Sequence, residues 1–333
     1  MSKKITRRDF LKIVVVGCAA GASLKVGLDA LPTDKIISET RLLMGTVINL
    51  MVMAERKITR EKAVEATFAE LERQIAIFNH REPGSSVAML NHTGKLAKPP
   101  KELVEVLVNA LEISEKTGGA FDVTVKPLVD LYQQSQPALP TSEALGAVLK
   151  LVNYTKMNVS SEEVSFSQPG MTITLDGIAK GYIVDAAVAQ LHNLGFENVF
   201  VEAGGDLMAS GSKDEKKPWK VGVQSPRQAQ MGLFASFSIT DQAVATSGDY
   251  MQYFTKDMLN HHILNPRSGV SAPYLASATV VAPSCAQADA YATALMVMRP
   301  EDGLAVVNSA SNIDALLIAK DMMEYRSSGF QNR

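Results

Sequence analysis

Asp289 and Thr293 stand four residues apart in the stretch ADAYATAL, residues 288–295. On an α-helix that spacing puts both side chains on one face, so a carboxylate and a hydroxyl leave an otherwise apolar run in the same direction. Two chemistries fit. The acid can cap a neighbouring helix or pair with a lysine. Alternatively, with backbone carbonyls and phosphate oxygens completing the shell, the two groups form the all-oxygen set that Mg²⁺ accepts. A second stretch, LDGIAKGYIVD (175–185), turns at Gly177 and opens a helix at Lys180-Gly181. The N–H groups at a helix start attract phosphate, and Lys180 adds a positive charge. The stretch matches neither GxxxxGK[ST] nor GxGxxG, and glycine between a strand and a helix also serves as a plain turn. EAGGDLMASG (202–211) sets two glycines after a strand, where backbone can approach a flat ligand or form a β-bulge. Of the five histidines, His192 lies in a helical stretch and reads as structural, while His261 and His262 sit beside a loop where a neutral imidazole can take a proton. No HExxH, CxxC or GxSxG occurs, which removes support for zinc hydrolase, disulfide-redox and α/β-hydrolase chemistry.

These residues need elements to hold them. Residues 60–79 read as an amphipathic helix, with Val64, Phe68, Leu71, Ile75 and Phe78 at helical spacing. A second helix follows Pro99-Pro100, with Leu103, Leu107 and Leu111 on one face, and KTGGAFD ends it. A third starts after Pro140 with Thr141 or Ser142 as N-cap. RLLMGTVINLMVMA (41–54) reads as extended chain broken at Gly45, and strands are expected at 171–175, 198–203, 219–224, 233–239, 275–282 and 313–319. A helix over 181–195 closes at Gly195, and NHREPGSS (79–86), TSGDY (246–250) and HHILNPRSG (261–269) read as polar turn segments. Mixed strands and helices without strict βαβ alternation predict an α+β fold.

The chain has 333 residues, 46% hydrophobic and 20% charged, an ordinary globular balance. A net charge of −2, 6% aromatics and a single Trp219 offer no surface for nucleic acid. The first 30 residues read as an export signal: a leader with Lys3, Lys4, Arg7, Arg8 and Lys12, then an apolar run from Ile13 to Leu24. That run is about half the ~20 residues that span a bilayer. TRRDFLK reads as a twin-arginine signal, with a general secretory signal as the alternative. VVGC (15–18) resembles a lipobox that would lipidate Cys18 and anchor the protein to the membrane, whereas cleavage near Ala30 would release a soluble domain over 31–333, the reading preferred here. Either way the expected location is the periplasm. Cys285 is then the one cysteine of the mature chain, so no intrachain disulfide is expected there.

Taken in order, MGT (44–46), GSSVAMLN (84–91), GGAFDVTVKPLV (118–129), GIAKGYIVD (177–185), AGGD (203–206), WKVGVQSPR (219–227), ATSGDY (245–250), HHILNPRSG (261–269) and ADAYATAL (288–295) resemble the ApbE family of FAD:protein FMN transferases along nearly the whole mature chain. The resemblance implies an α+β fold of mixed sheets with packed helices, and a flavin site in a cleft between two halves. It implies that FAD and Mg²⁺ bind, that the FAD pyrophosphate is split, and that FMN passes to a threonine or serine hydroxyl of a client flavoprotein with release of AMP. Acceptor sites of such clients read Asp-x-x-Ser/Thr-Gly-Ala-Ser/Thr. By the same resemblance Asp289, Thr293 and the Gly177 carbonyl would hold the metal, Lys180 would contact the diphosphate, and Met44, Ala120, Phe121, Asp122 and Ile263 would line the ligand pocket. His262 is the candidate base, since a threonine hydroxyl is a poor nucleophile until deprotonated.

Two departures from the family pattern stand out. Where the family reads Asp-Leu-Gly-Gly, this chain has Thr174-Leu175-Asp176-Gly177, so a carboxylate leaves one place and returns two residues later. Where an aromatic residue is common near adenine, this chain has Arg81, whose guanidinium can also stack on a ring. The Thr174/Asp176 change keeps one alternative open, a periplasmic FAD carrier; a second is an Mg²⁺-dependent FAD pyrophosphatase yielding FMN and AMP with water as acceptor, since a loop near His262 could tip transfer to hydrolysis.

Overall fold

In the computed structural model the described residues are 36–332 except 44, 54–56, 214–216 and 228–232. The export signal over 1–30 with Cys18, and Met44, lie outside them. Along the chain, β1 (Ile36–Leu43) and β2 (Thr46–Met53) precede α1 (Lys57–Phe78), α2 (Ser86–Thr93), β3 (Lys95–Ala97), α3 (Lys101–Lys116), α4 (Lys126–Ser135) and α5 (Ser142–Leu149). Then come β4 (Met157–Val159), β5 (Glu163–Phe166), α6 (Ala179–Asn193), β6 (Val199–Ala203), β7 (Asp206–Ser210), β8 (Trp219–Gln224), β9 (Leu233–Ile239), β10 (Gln242–Gly248) and β11 (Leu275–Ala282). The chain ends with α7 (Cys285–Val297), α8 (Pro300–Ser309), β12 (Asp314–Ala319) and β13 (Glu324–Arg326). The class is α+β, as expected.

Eight antiparallel strands in the order β1-β2-β6-β7-β10-β11-β12-β13 form the main sheet. Pairing Leu50 with Val201 and Met51 with Phe200 sets alternate residues on opposite faces. On one face Ile48, Leu50, Val52 and Val201 join the core that includes α1, α6 and α7. On the other, Met51, Phe200, Leu207 and Val244 pack against Trp219, Val221 and Phe237 of the separate β8–β9 ribbon. Burial on both faces explains LASATVVA: all eight residues of β11 are buried, so its apolar run is continuous rather than alternating.

Helix α7 lies against β10 and β11, with α6 and α3 around it. Eleven of its thirteen residues are buried, so it is apolar all round rather than amphipathic. Its N-terminus has two caps. Ser284 accepts from the Gln287 N–H at 3.3 Å, and the Asp185 carboxylate of α6 accepts from Cys285 N at 2.7 Å and Ala286 N at 2.9 Å. The helices meet where only glycine fits, because a Cβ on Gly181 would stand 2.2 Å from the Cys285 carbonyl oxygen. Among the described residues no helix is long and apolar enough to cross a membrane.

The expected strand over 171–175 is not a strand. Its apolar residues Met171, Ile173 and Leu175 are buried, as is Thr174, but its backbone is held otherwise. The Asn91 side chain donates to Ile173 O at 2.9 Å and accepts from Ile173 N at 2.7 Å, while Thr174 N donates to Val123 O. An amide clamp replaces the ladder. Two segments read as turns hold regular structure at one end: TSGDY begins inside β10, and Ser86 of NHREPGSS opens α2, capped by Ser85.

Asn91→Ala should remove both clamp bonds and leave the Ile173 backbone groups unpaired, a loss of about 1–3 kcal/mol, readable as a lower denaturation midpoint at unchanged slope.

Candidate active site

A cavity of about 1140 Å³ opens where the main sheet and α6–α7 meet the segments around Phe78–Arg81 and Ala120–Val129. Every described residue predicted for the site lines it: Arg81, Ala120, Phe121, Asp122, Thr174, Asp176, Gly177, Lys180, His262, Ile263, Asp289 and Thr293. Residues more than two hundred positions apart therefore converge on one hollow.

Helix α7 supplies the first wall. Asp289 is buried, and its Oδ2 accepts from Gly181 N at 3.2 Å. One turn on, Thr293 is half-buried, with its Oγ1 3.3 Å from Ser247 Oγ of β10. Gly177 lies directly against it: a Cβ there would fall 3.0 Å from Thr293 Oγ1 and 3.3 Å from the Phe121 ring. A carboxylate, a hydroxyl and a backbone turn thus share one corner of the cavity. Every donor available there is oxygen, which suits a hard cation and leaves room for phosphate oxygens in its shell. Among the described residues no group of three or more His, Cys, Asp or Glu is arranged to hold a metal, so any cation here would rest on one carboxylate plus uncharged oxygens.

Lys180, at the start of α6, forms a short ion pair with the Asp206 carboxylate at the start of β7. Burial acts to lower the Lys180 ammonium, but Asp206 and Asp289 outweigh it and hold the group above its usual value. Burial and the neighbouring Asp206 carboxylate push Asp289 well above the ordinary carboxylate range. Two carboxylates thus face one ammonium, and the second acid is left to take a proton or a cation. Sequence reading placed Lys180 on a diphosphate and missed Asp206. The signal was the acid directly after Gly204-Gly205, which turn the chain from β6 into β7 with both glycines at positive φ. Also missed were Asn49 and Glu202, two more cavity residues; Asn49 Nδ2 donates to the buried Glu202 carboxylate at 2.5 Å, and Gly205 N donates to it at 2.7 Å.

The structure separates the two adjacent histidines. His262 faces the cavity. Its Nδ1 donates to Gln252 O at 2.9 Å, which leaves Nε2 as the free acceptor. Burial lowers its proton affinity, so the ring is neutral at neutral pH. His261 is fully buried, bonds Ala272 O through Nε2 at 2.9 Å, and does not line the cavity.

The profile of the ApbE family matches residues 44–317. The chain belongs to the ApbE family. The FAD:protein FMN transferase of Vibrio cholerae is 31% identical over 302 residues, 86% of this chain and 90% of that protein. The FAD:protein FMN transferase of Treponema pallidum is 28% identical over 318 residues, 89% of this chain and 88% of that protein. Among solved structures, the ApbE protein of Thermotoga maritima superposes with a TM-score of 0.82 at 30% identity, covering 89% of this chain and 98% of that one. The flavin transferase ApbE from Vibrio cholerae gives 0.78 at 28% identity over the same shares. Membership in the ApbE family makes the chain a transferase.

Set in an ApbE-family fold, the two departures have structural partners. Thr174 is buried, its Oγ1 accepting from Asp176 N at 3.3 Å. Asp176 reaches out to Arg81 at 3.5 Å and His80 at 3.7 Å. Asp122 lines the cavity, but its carboxylate is already occupied: Oδ1 caps Thr124 N at 2.8 Å, and Oδ2 accepts from Tyr154 N at 3.0 Å. It shapes the wall rather than offering a free acceptor.

Burial lowers the His261 pKa from 6.5 to about 4. Between those values the unfolded chain binds a proton that the folded chain refuses, so this site withdraws stability as pH falls, by about 3 kcal/mol in full. Between neutral pH and about pH 4 the wild type should therefore lose more unfolding free energy than His261→Gln, measured by urea titration at each pH.

Proposed function

We propose that this chain moves FMN from FAD onto a threonine or serine hydroxyl of a client flavoprotein, with Mg²⁺ and with release of AMP. The observation that carries the reading is one cavity lined by Asp289, Thr293, Gly177 and Lys180 together with His262, whose Nδ1 is taken by the Gln252 carbonyl and whose Nε2 is left without a protein partner. The names of its relatives support FAD as the donor and a protein as the acceptor. Asp289, Thr293 and the Gly177 carbonyl would hold Mg²⁺. Bound there, the ion would offset negative charge on the diphosphate oxygens as it builds on the AMP leaving group. Lys180 adds a fixed positive charge beside that corner and is oriented by Asp206.

In the reaction, the acceptor oxygen attacks the phosphorus of the FMN half, and the bond from that phosphorus to the AMP phosphate breaks. The acceptor proton passes to His262 Nε2, which is neutral and therefore able to take it. The acceptor sequence is proposed to read Asp-x-x-Ser/Thr-Gly-Ala-Ser/Thr. The basic leader and short apolar run of residues 1–30 support export to the periplasm by the twin-arginine route, with release near Ala30 favoured over an anchor at Cys18.

Purified protein, FAD, Mg²⁺ and a tagged client should give covalent flavin fluorescence on the client in a denaturing gel. Free FMN without labelled client would establish hydrolysis, and FAD retained unchanged would establish a carrier. Asp289→Ala should abolish turnover, and full activity in that variant would remove the metal assignment. His262→Ala should lower labelling roughly 100-fold or more while FAD binding persists.

A further inference from the structure

The wall bearing His262 is a long loop from Asp249 to Tyr274 between β10 and β11, and its register decides which histidine faces the cavity. Asp249 directly follows β10, extends the pairing through N–H donation to Ala276 O at 3.0 Å, and is completely buried. Arg227, just beyond β8, grips its carboxylate with both ends of the guanidinium, at 2.8 Å and 2.9 Å. Lys320, just beyond β12, places Nζ 3.7 Å from Asp249 Oδ2 and donates to Met258 O at 3.2 Å. Arg227 Nη1 also lies 4.0 Å from Met258 Sδ. Two cations from distant strands thus hold both the root of the loop and its far turn, where Met258 stands at positive φ.

Between those two points the loop is tied across itself. Phe254 N donates to Asn260 O at 2.7 Å, Tyr253 bridges to His261, and Gln252 O accepts from both His262 N and His262 Nδ1. Met251, Gln252, Phe254 and His262 line the cavity, while Arg227, Asp249 and Lys320 do not. A buried ion pair is weak support for stability, since desolvation offsets much of its attraction. Its use here is geometric: a bidentate pair plus a second cation admits one arrangement of the loop.

We propose that Arg227, Asp249 and Lys320 are positioning residues that hold the 250–262 loop in the register where His262 Nε2 faces the transferring group. The proposal rests on the reading of His262 as base, and the test keeps the two apart. Lys320→Met removes the tie to Met258 and leaves Arg227 on Asp249, so no buried carboxylate is stranded; Lys320→Arg restores a cation able to reach both partners. In Lys320→Met, kcat for client flavinylation should fall roughly 10- to 100-fold with KM for FAD unchanged. The acid limb of the pH–rate profile should move up as the loosened ring regains solvent, and amide exchange over 251–262 should quicken. Lys320→Arg should recover most of the rate. Unchanged exchange and unchanged kcat in Lys320→Met would overturn the proposal. So would loss of rate accompanied by a proportional fall in folded protein, with no change confined to the loop. Full labelling by His262→Ala would instead sink the base assignment, and the exchange measurement would still decide whether the three residues hold the loop.

Discussion

The site depends on how closely α6 can approach α7. A carboxylate inside a helix buried on all sides costs several kcal/mol unless its charge is answered, and the answer lies on the neighbouring helix. Gly181 lets the two backbones come near enough for its own N–H to reach Asp289, and Lys180 stands one residue before it. Asp185, one turn further on, caps the first N–H groups of α7 and fixes where that helix begins. With the start of α7 fixed, the positions of Asp289 and Thr293 one and two turns later follow from the helical rise. The distance between Gly177 and Thr293 is therefore set by a helix crossing rather than by a loop.

Charge follows the same geometry. Asp206 and Asp289 crowd one ammonium, and burial keeps water from diluting their repulsion. Such a corner favours any species that brings positive charge with oxygen-compatible coordination. The diphosphate of a dinucleotide brings the opposite sign, so cation and dinucleotide would each improve the site for the other. That would be coupling between two ligands through direct contact, with no movement of the fold required.

Much of this was legible in the residues because the informative patterns were local. The i, i+4 relation of Asp289 and Thr293 survives in any helix, and the apolar run around it is long enough to leave no other reading. The strand expected at 171–175 failed because alternation reports which side chains are buried and is silent on where backbone bonds go; the partner, Asn91, is 82 positions away. Asp206 escaped notice for a related reason, since its meaning comes from Lys180, which stands 26 positions earlier. The adjacent histidines show the limit most plainly. His261 and His262 have the same chemistry and nearly the same sequence context. Which one reaches the cavity is decided by the Tyr253–His261 bridge and by the Gln252 carbonyl, neither of which composition or spacing reveals.

The two walls differ in how they are held, and the difference suits their tasks. The wall with Asp289, Thr293 and Lys180 is built on two helices that cross closely at Gly181 and satisfy each other's first-turn N–H groups through Asp289 and Asp185, so it has little freedom. A cation site gains from that rigidity, because donors that need no rearrangement lose no binding energy to ordering. The wall with His262 is a loop, and a loop can give way to a protein acceptor. A free loop, however, would leave the His262 imidazole without a fixed position. Arg227 and Lys320, just beyond β8 and β12, meet both demands: they hold the loop at Asp249 and at Met258 and leave Tyr253 and Leu259 exposed.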